Sequence, residues 1–286
     1  MRIDNPYPKY TKPWRKGNLH AHSNAGHGDC AHADPDYVVE FYRDHCYDFM
    51  SLSDHDVLTP TEQYNTEDFI CIPSVEEERE KRYNGDPTRM HVTYPGYPDK
   101  GKRIVAHPAW SGVTAKMINA LDFGCIGIEV YNYVCSYVYG KGHSVNIWDE
   151  LLVAGRRIWG FSVDDAHFNP DAPTAGGGWI QVQADELTQD AIMGAMARGE
   201  FYSTSGPEIA RIDVDDNGVM TVESRYPCDS IVFVAHEHRG WRYRRSYGRK
   251  MLNAQHQLTP DMIYCRAEVR CGNKTAWTQP IFVGED

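Results

Sequence analysis

Along residues 17–165, short apolar runs alternate with longer amphipathic stretches. The runs Tyr47–Ser53, Phe69–Ile72, Arg103–Ala106, Ile126–Tyr131 and Arg157–Phe161 are compact and rich in aromatic and β-branched residues, which predicts strands. A helix is predicted after Asp34, a good N-cap. Pro35 fits its first position, and Val38, Val39, Phe41 and Tyr42 supply an apolar stripe. Residues 111–123 and 144–155 predict two more helices, each ending near a glycine, and Thr188–Arg198 a further one closed by Gly199. This alternation points to an α/β layer or barrel over residues 1–205.

After Ser205-Gly206-Pro207 the texture changes. Ile209–Val214 and Val219–Glu223 flank Asn217-Gly218, a strong hairpin signal, and Ile231–Ala235, Tyr264–Val269 and Pro280–Val283 are further strand candidates. Residues 206–286 therefore read as a small all-β, sandwich-like domain. At 286 residues the chain is long enough for one large and one small domain.

The apolar fraction of 41% suits a globular protein. No apolar run approaches the roughly 20 residues of a membrane helix, and residues 1–17 lack the apolar segment of a signal peptide, so a cytoplasmic protein is expected. The eight cysteines contain no C-x-x-C pair, and most sit inside apolar runs as small core residues. The net charge of −11 belongs wholly to residues 1–205, with 18 Lys+Arg against 29 Asp+Glu; residues 206–286 hold 11 of each. Such a balance disfavours binding to a nucleic-acid duplex.

Chemistry gathers where the predicted strands end. His20-Ala21-His22 places two imidazoles on one side of an extended segment. His27 follows, then Asp54-His55, Glu76, His91, His107 and Asp165-Ala166-His167. Seven of the 13 histidines lie in this series, and imidazole is a common ligand for divalent transition metals. In a βα barrel, functional side chains collect at the strand C-terminal ends, as these do.

The motif order resembles the polymerase and histidinol phosphatase (PHP) family of phosphoesterases. The resemblance rests on Leu19-His-Ala-His-Ser23, Leu52-Ser-Asp-His-Asp56, Ile72-Pro-Ser-Val-Glu76, Ala106-His-Pro108 and Asp165-Ala-His167. It implies a distorted β/α barrel holding two or three Zn, Mn or Fe ions. Carried over, His20, His22, Glu76 and Asp165 hold one ion, Glu76 bridges to a second held by His91 and His107, and His55, His167 and His27 take a third. Many members place an aspartate where His27 stands, and Asp29 is the alternative. Phe201–Pro207 and Ala276–Val283 resemble members with a C-terminal β-domain, among them metallohydrolases named for cleaving the carbamate ester carbaryl.

The resemblance implies a metal-dependent phosphoesterase acting on a small phosphorylated metabolite or nucleotide. A carboxyl- or carbamate-ester hydrolase on the same site is the alternative, and a metal-stabilised binding protein without catalysis a second. Asp54, Glu76 and Asp165 are the carboxylates placed for catalysis, with Asp54 alternatively orienting a ligand histidine. An amidohydrolase would need a bridging lysine where Glu76 stands. Beyond Glu76, the acidic run to Glu80 reads as a solvated loop, and Glu129 as a buried partner for an arginine, with a ligand role as the alternative. Gly176-Gly-Gly178 reads as a turn rather than a phosphate cradle. The arginine-rich stretch 239–250 reads as an exposed hairpin, with a phosphate or nucleobase clamp over the active site as the alternative.

Overall fold

A computed structural model describes residues 1–7, 12–26, 31–83, 86–121 and 124–284, and for 80–83, 86–88 and 247 the backbone alone. The chain is mixed α/β and richer in strand than the alternating pattern suggests. Most of its strands fall into one eleven-stranded sheet, which runs Arg2–Asp4, Ile281–Gly284, Tyr264–Cys271, Lys274–Thr278, Phe201–Thr204, Trp179–Gln183, Trp14–Asn18, Phe49–Leu52, Ile70–Pro73. Ser230–Ala235 and Trp241–Arg244 branch from Tyr264–Cys271. A five-stranded sheet orders Glu76–Tyr83, Asp86–Thr93, Ile104–Val105, Gly127–Asn132 and Trp159–Val163, and a three-stranded one holds Ile209–Val214, Val219–Cys228 and Met251–Gln257.

The parallel pairs surround what becomes the site. They join Trp14–Asn18 to Phe49–Leu52 to Ile70–Pro73, and Ile104–Val105 to Gly127–Asn132 to Trp159–Val163. The eleven-stranded and five-stranded sheets meet here through isolated bridges, Ala21 with Ala166 and His55 with Glu76, rather than through continuous ladders. Strands on both sides of residue 206 share the large sheet, since Phe201–Thr204 pairs with Lys274–Thr278. They share a core as well: Tyr264, Trp277 and Phe282 pack in one cluster with Ile128, Tyr131 and Trp148.

The helices follow their local signals. Pro35–Asp44 begins where Asp34 accepts a hydrogen bond from Tyr37 N at 2.8 Å, and it buries Val38, Val39 and Tyr42. Gln189–Arg198 lies between Thr188, which caps Ala191 N, and Gly199 at φ +80°. The single helix expected over 111–123 is two short ones, Pro108–Ser111 and Ala115–Asn119. Gly112 adopts φ +73°, a left-handed cap that stops the first before Thr114 caps the second. The acidic run after Glu76 is a strand rather than a solvated loop, because it pairs along its length with Asp86–Thr93. Tyr133–Tyr139, an unexpected helix, is capped by the Asn132 side chain and closed by Gly140 at φ +68°. Among the described residues the cysteines are free, and no helix is long and apolar enough to cross a membrane.

Candidate metal centre

Backbone hydrogen bonds lace the strand ends together and thereby fix the side chains they carry. Asp165 N donates to His20 O at 2.9 Å, His22 N to Ala166 O at 2.9 Å, Ser53 N to Ala21 O at 2.9 Å and Glu76 N to Asp54 O at 3.2 Å. His20 and His22 follow Trp14–Asn18, His55 follows Phe49–Leu52, and His107 follows Ile104–Val105. Asp165 and His167 follow Trp159–Val163. His91 arrives differently, from the hairpin strand Asp86–Thr93, where the register sets it opposite Glu78.

The side chains converge on Glu76, which is 1% exposed. Its Oε2 lies 3.3 Å from His20 Nε2, 3.4 Å from His22 Nε2 and 3.1 Å from His55 Nδ1. Its Oε1 lies 2.9 Å from His91 Nδ1 and 3.2 Å from His107 Nε2. Asp165 Oδ1 is 3.1 Å from His22 Nε2 and 3.3 Å from His20 Nε2, and those two nitrogens are 3.0 Å apart. Three sets of donor atoms are close enough to share an ion: His20, His22 and Asp165; His55, Glu76 and His91; His22, His55 and His167. The third set takes His22 where His27 is expected; His27 and Asp29 lie outside the described residues.

The donor set fits divalent cations. His20 Nε2, His22 Nε2 and Asp165 Oδ1 lie 3.0 to 3.3 Å apart, and Glu76 Oε2 lies 3.3 and 3.4 Å from the two imidazoles, close to the edge of about 3.3–3.4 Å of a tetrahedron with ligands about 2.0–2.1 Å from its centre. Glu76 Oε2 is buried without a hydrogen-bond partner. Among the described residues, Glu76, Asp165 and Glu129 have imidazoles and no lysine or arginine within ion-pair distance. Such buried negative charge calls for a positive counterpart.

Electrostatics reinforce the fit. Burial opposes ionisation of both Glu76 and Asp165, but the surrounding imidazoles, His20 foremost, hold each well below the usual carboxylate range. Burial, aided by His167, pushes His22 down to about 3, which keeps it neutral. Burial also opposes charge on His20, yet Asp165, Glu76 and Glu129 outweigh it and hold this imidazole well above its ordinary value. Ionised carboxylates and neutral imidazoles are the donor forms, so His20 gives up its proton when a cation binds.

A second layer of contacts orients these donors. Glu129 does not meet an arginine. One oxygen lies 2.6 Å from His20 Nδ1, and the other accepts from His107 N at 2.7 Å and Asn132 Nδ2 at 2.9 Å. Asn132 Nδ2 also donates to Asp165 Oδ2 at 3.0 Å. The sequence singles out Glu129 by its place in the buried strand Gly127–Asn132 but points to an arginine partner, and it gives no signal for Asn132. Replacing Glu129 by glutamine is expected to weaken metal binding roughly 10–100-fold with the fold intact. A metal titration followed by circular dichroism checks this, and unchanged affinity would refute the orienting role.

Asp54 is completely buried and belongs to none of the donor sets. It accepts from Ser23 N, Ser23 Oγ and Thr59 Oγ1 and ties down the loop after His22. Asp164 is similarly occupied. Gly176 N, Gly177 N and Gly178 N donate to it at 2.8, 2.7 and 2.7 Å, and Tyr42 Oη at 2.9 Å. Burial still pushes its carboxyl up to about 6. The three glycine amides thus cradle an anion, but one supplied by the chain itself.

Two of the converging residues sit on unusual backbone. His107 and Asp165 have φ of +29° and +55°. Histidine and aspartate are among the few non-glycine types enriched there, and such conformations collect at functional sites.

A cavity of about 340 Å³ opens over the cluster, with His55, Glu76, His91, His107, Asp165 and His167 on its floor. Its rim is apolar: Trp110, Val134, Val138 and Tyr139, from the short helices Pro108–Ser111 and Tyr133–Tyr139. The Trp110 and Tyr139 rings stand 5.9 Å apart.

No protein-family model matches the chain, and no curated protein does. Among solved structures, one match is a two-domain protein from Bacteroides vulgatus ATCC 8482 described as containing a predicted PHP-like metal-dependent phosphoesterase. It is 12% identical, with a TM-score of 0.47, covering 99% of this chain and 91% of that one.

Proposed function

We propose that the protein is a metal-dependent hydrolase of the PHP type that cleaves a small phosphoester, using two or three divalent Zn, Mn or Fe ions. The observation that carries this reading is Glu76, whose two oxygens face separate sets of histidines in the manner of a bridging ligand. His20, His22 and Asp165 would hold an ion on one side of it, His91 and His107 on the other, and His55 and His167 a further one. Ions bound there would polarise the ester oxygen and lower the pKa of coordinated water.

The chain's own residues do the remaining work. Glu129 and Asn132 hold His20, His107 and Asp165 in place. Asp54 and Asp164 spend their oxygens on the loops they anchor, so the leaving-group proton falls to the cavity-facing imidazoles or to solvent.

One observation favours the second reading, a carboxyl- or carbamate-ester hydrolase on the same centre. None of the described residues lining the cavity is lysine or arginine, the usual partners of a phosphomonoester dianion, and the rim is apolar. The test is a panel of nucleotides, sugar phosphates and aryl esters with metal-loaded and chelator-treated protein. Phosphate release that chelation removes and divalent ions restore is expected. Ester turnover without phosphate release would establish the second reading, and inertness of the metal-loaded protein to both would leave a binding protein.

A further inference from the structure

The last third of the chain contains a second concave site that shares no residue with the metal centre. Its wall is the strand Trp241–Arg244, paired with Ser230–Ala235 so that Ser230 faces Arg244. Alternation along a strand puts Arg242 and Arg244 on one side. A single 3-10 turn, Ser246–Gly248, then reverses the chain, with Gly248 at φ +69°. The reversal brings Arg245 and Arg249 to the same cavity, which has a volume of about 500 Å³. Four of the 11 cationic residues after position 205 thus line one depression.

No carboxylate among the described residues pairs with any of these four guanidiniums. Asp229, the acid on the rim, is already engaged by Lys250 Nζ and by Gly272 N. Four like charges held together repel one another, and they do so in a chain with a net charge of −11. An anionic ligand relieves that repulsion. Arginine presents a planar fork that grips phosphate oxygens two at a time, and Ser230 and Ser246 add hydroxyls beside it.

The surroundings narrow the class of anion. Trp241 and Tyr243 alternate to the other side of the strand, where Tyr243 packs on Phe233 and His256. Among the described side chains the arginines therefore lack the aromatic platform on which the bases of a single strand would stack. The cavity is also compact rather than a stripe tracking a long backbone. We propose that it binds a small oligophosphate, two or three linked phosphates whose charges are spread over the four arginines.

Equilibrium dialysis of labelled inorganic tripolyphosphate against the full chain tests this. The wild type, Arg242→Ala/Arg245→Ala and Glu76→Gln would be compared at two salt concentrations. One equivalent should bind to the wild type and to Glu76→Gln with equal affinity. Binding should be at least tenfold weaker in the arginine variant and weaker at the higher salt. Four outcomes overturn the proposal. They are no binding by the wild type, unchanged binding by the arginine variant, binding lost in Glu76→Gln but kept in the arginine variant, and a single-stranded oligonucleotide that tripolyphosphate cannot displace.

Discussion

Glu76→Gln is expected to abolish metal binding and, with it, the proposed hydrolysis. Five histidines approach this one side chain, three at one oxygen and two at the other. Glutamine keeps the shape but replaces one oxygen with an NH₂ group that only donates, so one face loses its lone pairs. The substitution also deletes a buried negative charge that the imidazoles hold ionised. Residues that merely orient a ligand cost roughly 10–100-fold in metal affinity, and a shared ligand should exceed that range. Elemental analysis of the purified variant, beside the wild type and with circular dichroism as a check on folding, measures it. A folded Glu76→Gln protein with the full complement of metal would eliminate the bridging role.

The largest effect on stability is expected at Arg266, which belongs to none of the candidate donor sets. Arg266 is 1% exposed and lies under the Trp148 ring, its guanidinium 4.9 Å from the centroid. It grips Asp149 with two nitrogens, at 2.9 and 2.8 Å, and Glu268 with the third at 2.8 Å. Arg266→Met fills much of the volume but leaves the Glu268 carboxylate, 5% exposed, with only Arg270 beside it. Breaking a buried pair from one side costs about 3–5 kcal/mol, which denaturant unfolding would report as a lower midpoint. Adding Glu268→Gln should recover part of the loss, because the stranded charge disappears with it. An unshifted midpoint in Arg266→Met would show that the pair contributes nothing.

The same pair sets a pH dependence. Burial tends to raise Glu268, but Arg266 and Arg270 hold it below its ordinary value of 4.5. A carboxylate depressed in the folded state stabilises the protein above its unfolded pKa, and that stabilisation is lost as pH falls through the folded value. The wild type should therefore lose stability below the ordinary carboxylate range more steeply than Glu268→Gln does.

The cluster of histidines and carboxylates was legible in the sequence because its members occupy strand ends, where a short motif marks both the end and the candidate ligand. His20, His22, His55, His107, Asp165 and His167 all obey that rule. His91 does not; it sits within a hairpin strand whose partner, Glu-Glu-Glu-Arg-Glu-Lys-Arg-Tyr, has no apolar alternation to announce it. The sequence Asn84-Gly85 between the two strands was the overlooked cue. The rim helix Tyr133–Tyr139 was hidden by its own composition, since Tyr-Val-Cys-Ser-Tyr-Val-Tyr favours strand by propensity. Asn132 and Gly140 at its ends override that preference. The role of Glu129 was illegible for another reason: its partner is an imidazole, distant in sequence, that itself needed the fold to be placed. The arginines of 242–249 were visible as a basic run, but only the turn at Gly248 makes them a cavity apart from the metal centre.

The left-handed backbone at His107 and Asp165 bears on how this centre can evolve or be redesigned. Valine, isoleucine and threonine are shut out of both positions by their branched Cβ, whatever the metal requires. Asparagine and aspartate tolerate that conformation at least as well as histidine does. Drift at position 107 is therefore channelled from imidazole toward carboxylate, a harder donor that suits Mn²⁺ or Mg²⁺ better than softer ions. Two torsion angles thus leave the metal preference of the site open to change while closing most other routes.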